Sequence, residues 1–115
     1  TGHESERGVG NIFNAPIQSG TKSEDFLKAF DEKILKNVDA FEPDVIIISA
    51  GFDAHKRDPL AAINLDSEDY YSLTRAIVEL ANRHSNGRVI SFLEGGYDLL
   101  ALSESIKAHF KGLSA

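Results

Sequence analysis

The stretch "ISAGFDAHKRDP", residues 48–59, places Asp53, His55 and Asp58 in one short loop directly after the apolar run "DVIIIS". Asp53 and His55 are two residues apart, so on an extended segment both side chains share a face and can approach one metal ion. Two donors do not complete a metal site, and an aspartate in a glycine-containing loop also serves simply to stiffen a turn. His55 reads as a loop residue or an outer neighbour of such a site, and Asp58-Pro59 as a turn initiator. A second stretch, "LEGGYDL" at 93–99, supplies Gly95 and Gly96, which allow a ligand close to the backbone. It also supplies the Tyr97 phenol, which can be buried in a core or can donate a hydrogen bond. The other histidines read as structural: His84 ends one helical stretch and His109 lies within another, while His3 has no evident partner. Gly8-x-Gly10 lacks the preceding strand and following helix of a dinucleotide fingerprint.

Two β-rich runs must carry these loops. "DVIIIS" (44–49) is continuously apolar, as a parallel strand covered on both faces would be. "RVISFLEGG" (88–96) is the second, and it ends in glycines. The spacing predicts a helix over 23–41 with an apolar face of Phe26, Leu27, Phe30, Ile34, Leu35 and Val38, a capping box from Thr21 and Glu24, and a stop at Pro43. A second helix is predicted from caps at Asp66 and Ser67 to about residue 85, closed by Gly87, and a third over about 99–112 with Leu102, Ile106 and Phe110 or Leu113 inward. "NIFNAPI" (11–17) is an edge strand or extended segment, because Pro16 lacks a backbone donor. Strand, helix, strand, helix implies a βαβ crossover in a layered α/β fold, and in such folds ligands sit outside the carboxyl ends of the strands. Asp53 and Tyr97 would then share one rim.

Composition narrows the classes. The 115 residues contain 42% hydrophobic and 26% charged residues, enough for one small globular domain or a piece of a larger one. A net charge of −6 gives no electrostatic footprint for direct nucleic-acid binding or for an anionic membrane surface. No apolar run has the length of a membrane span, and the first residues lack the apolar stretch of a signal peptide. With no cysteine, thiolate metal sites and disulfides are excluded, which fits a reducing, cytoplasmic setting. The chain has no methionine and opens as if within a loop, so it is expected to be cut from a longer protein.

Taken in order, "SAGFDAHKRDPLAAINL" and "SFLEGGYDL" resemble the later part of the histone deacetylase superfamily, which includes acetylpolyamine amidohydrolases and acetoin-utilisation proteins. "TGHESERGVGNIFNAPIQSGT" is similar to the segment that follows the family's substrate-channel loop. The resemblance implies a three-layer α/β/α fold with a mainly parallel sheet, arginase/deacetylase-like, with residues 1–115 the C-terminal part of the catalytic domain. It implies that Asp53, in Gly-x-Asp after a buried strand, is the third metal ligand, and that Tyr97 points at the acyl carbonyl. Gly95 and Gly96 would border the acyl-binding tunnel. Glu94 before "GGY" resembles class II and bacterial members, and Tyr97, where one poorly active subgroup has histidine, resembles the active deacetylases.

The activity implied is a zinc-dependent amidohydrolysis that removes acetyl from an N-acetyl amine, either acetyl-lysine or an acetylpolyamine. The family's other two ligands, an upstream Asp-x-His, and its tandem histidines have no counterpart in residues 1–52. Residues 1–115 alone are therefore expected to be inactive, to need the rest of the catalytic domain as partner, and to self-associate through uncovered apolar surface. Two alternatives stand beside this reading. One is a non-catalytic α/β module that binds or assembles on a remnant of the fold. The other is a different metallohydrolase of the arginase-like fold, which would need more Asp and His ligands than this region has.

Overall fold

A computed structural model describes residues 1–115. The apolar run after Asp44 forms β1, Ile46–Ala50, and the run after Arg88 forms β2, Val89–Leu93. They pair in parallel, with Ile46 opposite Val89 and Ala50 opposite Leu93. The register is fixed at its start by Ile46 N–H donating to the Arg88 carbonyl and by the Arg88 guanidinium donating to the Asp44 carbonyl.

Helices fill one face of this pair. The segment 23–41 is helical throughout, as α1 (Ser23–Ala29), a π-helical turn (Phe30–Leu35) and α2 (Lys36–Phe41). Helix α3 is Ser67–His84 and α4 is Leu99–Ser114. Asp66 and Asp69 form a reciprocal capping box on α3, and the Asp98 carboxylate accepts the Ala101 N–H at the start of α4. Beyond α3, the Gly87 N–H donates to the Ala81 carbonyl with Gly87 in the left-handed region at φ 74°, so the glycine closes the helix as its position suggested.

The core lies where α3 and α4 meet the face made by Ile48, Ala50 and Ser91. Phe52 stacks against Tyr70, with ring centroids 5.0 Å apart, and meets His109 edge-on at 5.6 Å. Leu65, Ile63 and Ala108 complete the cluster. Ser85 is fully buried and donates its hydroxyl to the Pro43 carbonyl at 2.5 Å, and the Asp39 carboxylate takes hydrogen bonds from both Arg83 and His84. These contacts tie the end of α3 to the entry of β1 and to α2. His84 and His109 are thus structural, as their helical positions indicated.

Several expectations need correction. Thr21 does not cap the first helix: its hydroxyl turns back to the Gln18 carbonyl, and Lys22 at the N-cap makes no side-chain cap bond. That helix does end at Phe41, ahead of Pro43 as the sequence predicts, with Glu42 in the left-handed region at φ 54°. Residues 11–17 form no strand, so of the two readings the edge strand falls and the extended segment is left. On α4 the buried positions are Ala101, Ser105, Ala108, His109 and Gly112. Leu102 and Ile106 pack half-buried against the core as the spacing predicts, and of the last pair Leu113 is half-buried while Phe110 is exposed. At Gly112 the approach is closest: a Cβ there would lie 2.8 Å from Thr74 Cβ on α3, so no side chain fits between the helices at that point. The two strands are also not covered on both faces. Ile47, Ile90 and Phe92, on the side away from α3 and α4, are exposed.

Candidate active site

The parallel ladder continues past the last strand residues. The Glu94 N–H donates to the Ala50 carbonyl at 2.9 Å, and the Phe52 N–H donates to the Gly95 carbonyl at 2.8 Å. Asp53 and Tyr97 therefore leave the sheet side by side, from its carboxyl edge, as the strand order suggested.

Phe52 is buried in the core and anchors the backbone immediately before Asp53. The Asp53 carboxylate then packs against glycine backbone. A Cβ built on Gly95 would lie 3.1 Å from Asp53 Cγ and Oδ2, and one on Gly51 would lie 3.0 Å from Oδ1. Gly96 has φ 143°, and a Cβ there would meet Leu102 Cδ1 at 2.7 Å. Gly95 thus lets the two loops close on each other, and Gly96 lets the chain turn beneath Leu102 of α4. The next residue, Tyr97, is 57% exposed, so its ring is no part of the core.

The loop after Asp53 is folded back on itself. The Lys56 N–H donates to the Leu65 carbonyl and the Leu65 N–H to the Ala54 carbonyl, at 2.8 and 3.0 Å. His55, 1% exposed, braces this fold. Its Nδ1 accepts the Arg57 N–H, which leaves Nε2–H to donate to the Ser67 hydroxyl at 3.0 Å. Ser67 in turn donates to Glu104, which also pairs with the Arg57 guanidinium. Burial, with the positive Arg57 adding to it, holds His55 below the ordinary histidine value. It is therefore a neutral brace between the loop, α3 and α4, in keeping with its reading as a loop residue. Arg57 in turn lowers the Glu104 pKa.

Asp58 departs from its sequence reading. Its Oδ1 accepts the Leu60 N–H, as a turn initiator's would, but Oδ2 accepts the N–H of Tyr97 at 2.8 Å. The carboxylate is buried, and it joins the two loops. No local pattern announces a bond that spans 39 residues. Beneath both loops, burial together with the negative Asp53 and Asp58 pushes the Tyr70 hydroxyl far up, so it remains a neutral phenol.

Asp53 is a single donor here. No group of three or more His, Asp or Glu side chains lies close enough together to hold a metal ion, and His55 is turned to Ser67 and Arg57. A groove of about 470 Å³ lies elsewhere, beside β1, where Phe13, Ile34, Val38, Phe41 and Ile47 line it.

Residues 1–113 match the histone deacetylase domain. The chain is 42% identical over 105 residues to Type-2 histone deacetylase 1 of Dictyostelium discoideum, covering 91% of this chain and 7% of that protein. It is 40% identical over 107 residues to the chloroplastic histone deacetylase 14 of Arabidopsis thaliana, covering 93% of this chain and 25% of that one. The crystal structure of the HDA15 HD domain superposes with a TM-score of 0.86 at 35% identity, over 98% of this chain and 32% of its own. The chain thus spans a quarter or less of the two relatives' length, and its fold is the α/β fold of arginase and deacetylase domains. With the domain match running almost from end to end, the chain belongs to the histone deacetylase family.

Proposed function

We propose that the protein is a zinc-dependent amidohydrolase that removes the acetyl group from an N-acetyl amine, with acetyl-lysine and acetylated polyamines as the substrate classes. Membership of the histone deacetylase family supports the reaction class. The observation that carries the residue roles is the Phe52–Gly95 hydrogen bond, which sets a carboxylate and an exposed phenol on adjoining loops at one sheet edge.

Asp53 is one ligand of the zinc ion, and the other donors come from outside residues 1–115. The donor chemistry suits this. The carboxylates of Asp58 and Asp66 are already engaged, whereas that of Asp53 faces glycine backbone. When bound, zinc in such a site supplies the Lewis acidity that activates water and polarises an acyl carbonyl. Tyr97 donates its hydroxyl proton in a hydrogen bond to the acyl oxygen as that oxygen gains charge. Gly95 and Gly96 leave the backbone open to the acyl group. The folded-back loop braced by His55 keeps Asp53 fixed between these partners.

Substitutions in the whole protein test the assignment. Asp53→Asn removes tight metal binding and activity together. Tyr97→Phe keeps the metal and slows kcat by on the order of 10²–10³, because it deletes a transition-state donor and no ligand. Residues 1–115 expressed alone hydrolyse neither acetyl-lysine nor acetylpolyamine. A whole protein that keeps both zinc and turnover with Asp53→Asn leaves Asp53 as a turn residue only.

A further inference from the structure

We propose that Asp58 is a positioning residue for Tyr97: its buried carboxylate holds the tyrosine backbone and thereby aims the phenol along the edge it shares with Asp53. The proposal rests on the reading of Tyr97 as the hydrogen-bond donor in the reaction.

Asp58 is 9% exposed and carries both its oxygens on backbone N–H groups, Leu60 at 2.9 Å and Tyr97 at 2.8 Å. The neighbouring cations are committed elsewhere, Lys56 to Asp66 and Arg57 to Glu104. A buried carboxylate with no cationic partner is costly, and here two charge-assisted hydrogen bonds offset the cost. The turn at 58–60 needs only the first of those bonds, and serine or asparagine at position 58 would make it as well. The second bond is surplus to the turn, and it lands on the residue whose side chain the reaction uses.

The backbone at Tyr97 needs such a hold. Gly96, just before it, sits at φ 143°, where a residue without a Cβ turns freely. The ladder from β1 makes its last bond at Gly95, and α4 begins only after the Asp98 cap. Asp58 fixes the residue between those two anchors. Asp58 is itself locked, since its own N–H donates to the His55 carbonyl at 2.9 Å within the braced loop. A hydrogen-bond donor displaced by about 1 Å loses much of its effect on a developing charge, of the order of 10²-fold in rate.

The test is a double-substitution cycle in the whole protein, read with its metal content and with amide exchange. Asp58→Asn keeps the size but presents an amide nitrogen to one of the two N–H groups. Asp58→Ser keeps the turn and is too short to reach Tyr97. Both variants lower kcat by roughly tenfold or more with KM and bound zinc unchanged. In a Tyr97→Phe background the same changes lower kcat by less than about twofold, since the group they position is gone. Exchange protection of the Tyr97 amide falls in both variants, while amides within 102–114 keep theirs. Equal losses of kcat in both backgrounds overturn the proposal, and so does unchanged Tyr97 protection. If Tyr97→Phe alone leaves kcat at the parent value, the proposed function fails at Tyr97 and the aiming role with it. The exchange result then still decides whether Asp58 holds the backbone.

Discussion

A Cβ placed on Gly95 would sit 3.1 Å from both Cγ and Oδ2 of Asp53. The carboxylate is therefore set against the bare backbone of the opposite loop, and Gly95 contributes to the geometry of Asp53. Gly95→Ala in the whole protein is expected to turn the carboxylate aside and to weaken zinc binding by roughly 10- to 100-fold, with little change in thermal unfolding. Competition with a chelator measures this. Gly96→Ala is the contrast. Its φ of 143° and the 2.7 Å approach to Leu102 Cδ1 strain the fold itself, so a loss of about 1–3 kcal/mol in unfolding free energy is expected. Similar metal affinity in the parent and Gly95→Ala would show that Asp53 has room to spare.

His109 gives a pH prediction. Thr74 donates its hydroxyl to the Tyr70 carbonyl, so it accepts from His109 Nδ1–H at 2.7 Å, and the Ser91 hydroxyl then donates to Nε2 at 2.8 Å. Every position around the neutral ring is filled. Burial holds its pKa below the ordinary 6.5, and His55 is shifted the same way. A protonated ring would have to reverse the Ser91 hydroxyl. Below the ordinary value the unfolded chain binds more protons than the folded one, so stability is complete above about pH 6.5 and declines as pH falls toward the folded-state values. Denaturant unfolding from pH 7.5 to 5 should show this loss before the carboxylates titrate. His109→Gln should reduce the slope, and an unchanged slope in that variant would assign the effect to His55.

Ile47, Ile90 and Phe92 form an apolar face with 62%, 48% and 57% of their surface exposed. Neighbouring positions on the two parallel strands make this a continuous patch. Residues 1–115 on their own are expected to self-associate through it. Sedimentation velocity at rising concentration should detect oligomers of the parent chain and mainly monomer for Ile47→Thr with Phe92→Thr, substitutions that keep strand propensity. A parent chain that stays monomeric would remove the patch as an association surface.

Much of this protein is written locally. The period of its apolar residues marked three helical stretches, the continuous run "DVIIIS" marked β1, and Asp66 and Gly87 marked the limits of α3, because caps and periodicity act within a few residues. The motifs "AGFDAH" and "LEGGYDL" brought Asp53 and Tyr97 to notice, and strand order sufficed to place them at one edge. Tertiary structure decided the rest. Phe110 fits the apolar period of α4 yet faces solvent, and at Gly112 α3 approaches so closely that no side chain fits between the helices. Thr21 has the spacing of a cap yet bonds to Gln18, and the π-helical turn at 30–35 left no mark in the apolar pattern. Asp58 reads as a turn in its own dozen residues and becomes a tie to Tyr97 only when the crossover sets the two loops together. Local chemistry fixes which conformations a segment prefers, but a hydrogen bond across 39 residues exists only once packing has placed both of its ends.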